Sequence, residues 1–121
     1  MSVSLEQLFV ERITCYLDTG ITVADEGKAV TLAGNNKVGL GDDGDPVYGK
    51  LVKVEADGVG AVEVRGFITL DTAGTAPTAG EVLLVNGAGK VRKAKTGADA
   101  ETPERTHVVW EVQTGKAICL F

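Results

Sequence analysis

The sequence contains few of the residues on which small secreted proteins and many enzymes depend. Its 121 residues include two cysteines, one histidine, one tryptophan and three prolines. The cysteines, Cys15 and Cys119, are too few for a disulfide scaffold and lack the close spacing of a metal site. Because each lies in a β-prone segment, we expect two buried thiols in a reducing compartment. A disulfide between them would require neighbouring strands, a point that the sequence leaves open.

The sequence also lacks a long apolar run. No stretch approaches the roughly 20 residues that cross a bilayer as a helix, so no membrane partner is expected. Residues 1–10 lack the basic start and apolar stretch of a signal peptide, which predicts synthesis in the cytoplasm. The formal net charge is −5. Because an acidic surface repels phosphate groups, nucleic acid is not an expected partner either.

Glycine, by contrast, is abundant, with 16 residues, as is typical of short strands joined by tight turns. The clearest pattern is a predicted hairpin, in which segments 47–55 and 61–70 flank Asp57 and Gly58. One face of the second segment is apolar and comprises Val62, Val64, Ile68 and Leu70. The other face, which we expect to meet solvent, comprises Glu63, Arg65 and Thr69. Gly66 interrupts the segment and predicts a bend or bulge.

Further β-prone segments recur at short spacing along the chain. One begins at about residue 11, with Ile13, Cys15 and Leu17 on one face, and others cover residues 29–32, 82–85, 90–94, 106–112 and 117–121. This spacing predicts an all-β fold, a small β-barrel or β-sandwich, formed by a single β-domain over residues 11–121. The predicted core comprises Val62, Val64, Ile68, Val108, Trp110, Val112, Ile118 and Leu120.

Residues 1–10 form a separate segment, which we interpret as a flexible N-terminal arm. Leu5, Leu8 and Phe9 make this arm apolar. Such a terminus either folds back on its own core or docks on a partner, and the sequence favours neither strongly. Since a domain with closed sheets does not need these three residues, we expect the arm to be a docking element.

Two glycine-rich segments resemble nucleotide-binding motifs only in part. Residues 39–44 read GLGDDG, but a β-prone segment follows where the dinucleotide fingerprint requires a helix. Two aspartates also stand where a pyrophosphate would lie. Residues 87–90 read GAGK, but Leu84 and Val91 occupy the positions at which a P-loop requires Gly and Ser or Thr. The sequence therefore predicts no cofactor.

Candidate residues for metal binding and catalysis are equally isolated. Asp42, Asp43 and Asp45 offer the oxygen ligands that calcium prefers, but the distal Glu of an EF-hand loop is absent. His107 could act as a general base only with a nucleophile such as Cys15 or Cys119, and no local signature supports that arrangement. We therefore predict no metal ligands, no catalytic residues and no enzymatic activity.

Several short segments carry a family resemblance that covers most of the chain from about residue 11. They are RITC at residues 12–15, GITV at 20–23, GKAV at 27–30, YGKL at 48–51, AVEVRG at 61–66, AGEVL at 79–83 and GKV at 89–91. In these segments the chain resembles the capsid decoration, or cement, proteins of tailed bacteriophages, a family with a domain of unknown function often labelled a predicted phage recombinase. The absence of a P-loop and the acidic charge disagree with that label.

The resemblance implies an all-β domain that binds the outer surface of an expanded icosahedral head, usually as a homotrimer. The expected partners are then the major capsid protein and further copies of this chain, and the expected location is the virion surface. Leu5, Leu8 and Phe9 would be the capsid-docking residues. A ligand-binding β-barrel, or a non-catalytic subunit of a cytoplasmic enzyme, is the alternative. An enzyme that uses His107 with a cysteine ranks third.

Overall fold

The computed structural model describes residues 10–94 and 107–121, and within them the fold is all-β, as predicted. Ten strands occur in the part of the chain described: β1 Glu11–Leu17, β2 Ala29–Gly34, β3 Lys37–Gly39, β4 Gly49–Val54, β5 Val59–Arg65, β6 Phe67–Asp71, β7 Leu83–Val85, β8 Val91–Lys93, β9 Val108–Gln113 and β10 Lys116–Leu120. Between β1 and β2 the chain forms a 3₁₀ turn, Val23–Asp25.

Five strands form a closed barrel in the order β1-β3-β2-β4-β5, with β5 pairing back onto β1. The predicted hairpin is confirmed as β4 and β5, which pair antiparallel through Leu51 and Val62. Gly58 in its turn has a φ of 74°, a conformation that glycine adopts without steric cost. β3 was not predicted from the sequence, because three residues are too few to show a strand period.

Gly66 carries the chain out of the barrel, and the predicted bend is confirmed there. Its φ is 102°, and it separates β5 in the barrel from β6 in a second sheet. That sheet has the strand order β6-β10-β9, and β7 and β8 form a two-stranded sheet beside it. Phe121 donates its backbone N–H to the Gly66 carbonyl at 3.0 Å, which ties the last residue to this bend.

Two clusters of buried side chains fill the molecule. The barrel interior contains Cys15, Val30, Val38, Leu51 and Val62. The second cluster joins the two smaller sheets and contains Ala29, Val47, Ile68, Leu70, Leu83, Val85, Val91, Val109, Ala117 and Cys119. Successive side chains of a strand point to opposite faces, so β2 contributes Val30 to one cluster and Ala29 to the other. The two clusters therefore lie on either side of a shared strand.

Three residues of the predicted core are buried, namely Val62, Ile68 and Ile118. Three others are only half-buried, namely Val64, Val108 and Leu120. The prediction is wrong for Trp110 and Val112, which are 52% and 36% exposed. Trp110 is the extra residue of a bulge, because Ile118 pairs with Glu111 and Cys119 with Val109. The buried side chains here are instead Val109 in β9 and His107, the residue directly before this strand.

Glu63 is a second departure from the predicted pattern. Its odd position in β5 predicted a solvent-facing side chain, yet only 2% of it is exposed. Arg12, opposite Glu63 on β1, donates from its guanidinium to the Glu63 carboxylate at 3.1 Å. An ion pair of this kind allows a carboxylate to lie in a buried position. The alternation of apolar and polar residues along β5 cannot predict this pair, because Arg12 lies on another strand.

Candidate interaction surface

The predicted docking residues Leu5, Leu8 and Phe9 lie outside the residues that the structure describes. The described chain starts at Val10, directly before β1. The surface that surrounds this starting point is therefore the first place at which to look for a binding site.

An apolar groove of about 340 Å³ opens at the end of the barrel where β1 begins. Its floor and walls are formed by Ile13, Cys15, Leu32, Val38, Val62 and Val64, with Asn36, Lys37, Tyr48 and Arg65 completing the lining. Ile13 is 47% exposed and Leu32 is 56% exposed. The groove thus has a buried floor and half-exposed apolar walls, a shape suited to receiving side chains rather than enclosing a whole ligand.

One edge of β1 is open beside this groove. β1 pairs with β5 along residues 11–16, but it meets β3 only at Tyr16 and Leu17. Among the described strands, none pairs with residues 11–15 on the side away from β5. The backbone N–H of Tyr16 points away from β5 and donates to Asn36, the residue before β3. The backbone groups of residues two apart in a strand point to the same edge, so the N–H and carbonyl of Thr14 also point away from β5, where no described strand pairs with them. Unpaired strand edges of this kind are where a further strand can add.

The charges around the groove are mainly positive and solvent-accessible. Lys37 and Arg65 belong to its lining. Arg65 approaches the Glu11 carboxylate at 3.9 Å, and both side chains are largely exposed, so the pair is weak. An incoming segment with a carboxylate and no basic residue would complement this rim.

A second exposed apolar surface lies on the sheet of β6, β9 and β10. The Trp110 ring packs edge-to-face on Phe67 with the ring centres 5.8 Å apart, yet half of Trp110 remains accessible. Val112 lies on the opposite face of this sheet, since it pairs with Ala117 of the second cluster, and it is exposed near the end of β9. The sequence signal for this surface was the run of apolar residues at even positions, which we assigned to the core.

His107 and the cysteines occupy buried structural positions. Leu83 donates its backbone N–H to Nε2 of His107 at 3.0 Å, and the imidazole stacks on Phe121 with ring centres 4.8 Å apart. Burial lowers the pKa of His107 to about 4. Burial also raises the pKa of the Cys119 thiol to about 12 and raises that of Cys15. Both cysteines are free and buried, as expected, and they belong to different clusters, so no disulfide joins them.

The acidic segment 39–46 is bound into the fold by its own side chains. Asp45 accepts a hydrogen bond from the Asp42 N–H at 2.9 Å, and Asp43 accepts one from Arg92 at 2.6 Å. Gly44 donates its N–H to the Val85 carbonyl at 2.9 Å, so the segment packs on the turn after β7. Within the described residues, no group of three or more potential ligands could hold a metal ion. These aspartates therefore act as turn and ion-pair partners.

Two further observations concern the chain as a whole. In the described segments, no helix is long and apolar enough to cross a membrane. Comparison with models of protein families finds no match for this chain, and a search of the curated proteins also finds none.

Proposed function

We propose that this protein is a non-enzymatic capsid decoration protein that binds the outer surface of an expanded phage head and stabilises it. Its partners in this proposal are the major capsid protein and further copies of the chain, in a homotrimer at the virion surface. The proposal starts from the family resemblance of the segments between residues 12 and 91.

The observation that carries the proposal is the presence of two separate exposed apolar surfaces on a small β-fold. One is the groove with Ile13 and Leu32, and the other is the face on which the half-exposed Trp110 packs against Phe67. A soluble protein rarely keeps such surfaces without a partner. A decoration protein requires two of them, one for its own copies and one for the shell. Because it binds only the expanded shell, it stabilises that state by mass action.

One observation favours a second candidate, a ligand-binding β-barrel. The groove volume of about 340 Å³ lies at the lower end of the range for small-molecule sites. Its half-exposed walls would leave much of a small ligand in contact with water. We therefore place this candidate behind the decoration protein.

A titration against purified heads tests the proposal. The chain should bind expanded heads and not unexpanded ones, and it should raise the temperature at which the expanded heads rupture. Removal of residues 1–10 should lower head affinity at least tenfold, which equals about 1.4 kcal/mol. Three buried apolar anchors, Leu5, Leu8 and Phe9, are sufficient for such a loss, at roughly 1.5–3 kcal/mol each before ordering costs.

Saturable binding to expanded heads would support the decoration role. Equal binding to both head forms, or no binding to either, would contradict it. If the truncated chain unfolds while its folded fraction binds normally, the arm belongs to the core and the docking assignment is wrong.

A further inference from the structure

The open groove is left uncovered by the described residues, and the arm before β1 has an apolar sequence. The arm contains the apolar residues Leu5, Leu8 and Phe9, and in the groove Ile13 and Leu32 leave about half their surface uncovered. We propose that the groove receives residues 1–9 of a second copy of this chain, which add to the open edge of β1 as an extended strand.

The backbone geometry favours an added strand. Thr14 presents its N–H and carbonyl to the open side of β1, and strand addition would pair these groups. In an extended segment alternate side chains share a face, so Val3, Leu5 and Phe9 of the arm would point the same way. That face matches the apolar floor of the groove.

The charges agree with this occupant. The arm carries one carboxylate, Glu6, and contains neither lysine nor arginine. The groove lining includes the cations of Lys37 and Arg65. Glu6 would meet the cations of Lys37 and Arg65 at the rim, where the like charge is that of Glu11, which lies 3.9 Å from Arg65.

The sequence before β1 favours a second copy over the chain's own arm. To pair with residues 12–14 of its own β1, the arm would have to reverse within residues 7–11, which read QLFVE. Tight reversals rely on Gly, Asn, Asp or Pro, and residues 1–11 contain none of these. An arm that continues away from β1 reaches up to about 30 Å, since nine extended residues span roughly 3.3 Å each. That reach is sufficient for the groove of a neighbour.

This inference rests on the self-association that the proposed function requires. In it, the arm binds the groove of a neighbouring copy before the protein binds a phage head. The head would then displace the arm from the neighbouring groove. Because the test below uses the protein alone, failure of arm exchange and failure of head binding are separate results.

The test is crosslinking between two full-length variants that carry tags of different mass. One carries Phe9→Cys in the arm, with Leu5→Cys as a second version, and the other carries Leu32→Cys in the groove wall. The matched control replaces the second partner with Val23→Cys, because Val23 is as exposed as Leu32, at 65% against 56%, and does not line the groove. Every variant also carries Cys15→Ala, because Cys15 lies in the groove floor and would otherwise compete for the arm cysteine, whereas Cys119 is buried outside the groove.

We expect a disulfide between the differently tagged chains with Leu32→Cys and at least tenfold less with Val23→Cys. Equal yields, or none with either arm position, would overturn the proposal. Crosslinking confined to a single chain in the double variant Phe9→Cys/Leu32→Cys would also overturn it, since the arm would then occupy its own groove.

A second measurement avoids engineered cysteines. Leu32→Asp places a carboxylate in the groove wall, whereas Val23→Asp makes the same change elsewhere at an exposed position. In sedimentation equilibrium, Leu32→Asp should weaken self-association at least tenfold and Val23→Asp should leave it unchanged. A monomeric wild-type chain, or equal effects of both variants, would contradict arm exchange.

Discussion

His107 and Glu63 are polar side chains that the fold buries, and each has an identified partner. His107 accepts from the Leu83 N–H through Nε2, and Glu63 accepts from the Arg12 guanidinium. The acceptor role of Nε2 requires a neutral imidazole, which agrees with the low pKa of His107. Protonation would remove this acceptor and place a charge beside the Phe121 ring.

Acid should therefore destabilise the protein through His107. Its pKa is about 4 in the folded protein and 6.5 in the unfolded chain, so the unfolded chain binds more protons between these values. The stabilisation is complete above pH 6.5 and is lost as the pH falls toward 4, by on the order of 3 kcal/mol. Urea unfolding at pH 7, 5.5 and 4.5 measures this loss.

The matched variant for that experiment is His107→Gln, which keeps an acceptor near the Leu83 N–H but does not titrate. Its free energy of unfolding should vary little between pH 7 and 4.5. Asp25 does not contribute to the change between pH 7 and 4.5, because the hydrogen bond from Lys28 lowers the pKa of its carboxyl below 3.8. A wild-type protein equally stable at pH 7 and 4.5 would contradict the assignment.

Trp110 provides a second prediction at the scale of one residue. Because half of its ring is exposed, Trp110→Ala should lower the free energy of unfolding of dilute protein by only about 1 kcal/mol. Leu51→Ala, at a fully buried position, should lower it by roughly 2–5 kcal/mol. Denaturant titrations of both variants give the comparison, and a larger loss for Trp110→Ala would indicate that the ring is enclosed.

At the scale of elements, the hairpin and the bend at Gly66 were predictable from the sequence, whereas the faces of β9 were not. The two-residue repeat of apolar side chains and the turn-forming residues Asp57 and Gly58 are local features of the sequence. They are therefore sufficient to identify β4, β5 and their turn. The choice between Trp110 and Val109 as the inward residue depends on a bulge opposite β10 and on a partner for His107. Both arise from strands distant in sequence. The groove was unpredictable for the same reason, since β1, β2, β3 and β5 form it together.

The β4–β5 hairpin gives a prediction about close packing of elements. A Cβ added at Gly60 would lie 2.6 Å from the Lys53 carbonyl oxygen, a backbone atom that cannot move aside alone. Gly60→Ala should therefore cost about 1–3 kcal/mol. Gly34→Ala is the control, because its Cβ would meet only Lys37 side-chain atoms at 3.8 Å or more. Thermal melts compare the two, and equal midpoints would contradict the close approach.

At the scale of the whole molecule, the important feature is that β2 contributes a side chain to each of the two buried clusters. Val30 packs inside the barrel, and Ala29, its neighbour, packs against the smaller sheets. Neither cluster can therefore lose its packing without disturbing the strand that borders the other. This arrangement favours one cooperative unit over two independent ones.

We accordingly predict a single unfolding transition. Fluorescence of Trp110, the one tryptophan, reports on the smaller sheets, and far-ultraviolet circular dichroism reports on all strands. The two signals should give the same midpoint in urea. Val30→Ala in the barrel and Val85→Ala outside it should shift both signals together. Separate midpoints would show that the barrel and the smaller sheets unfold independently.

The short junction of β1 and β3 has a consequence for motion. The barrel closes there through two residue pairs, with the Tyr16 and Asp18 amides donating to Asn36 and Val38. Breaking these few hydrogen bonds uncovers only the part of the barrel cluster near Val38, so the free energy of this local opening lies well below that of global unfolding. Amide hydrogen exchange should therefore be faster at Tyr16 and Asp18 than at Leu51. A barrel that opens along one line in this way can admit or release a neighbouring strand while the rest of the molecule stays folded.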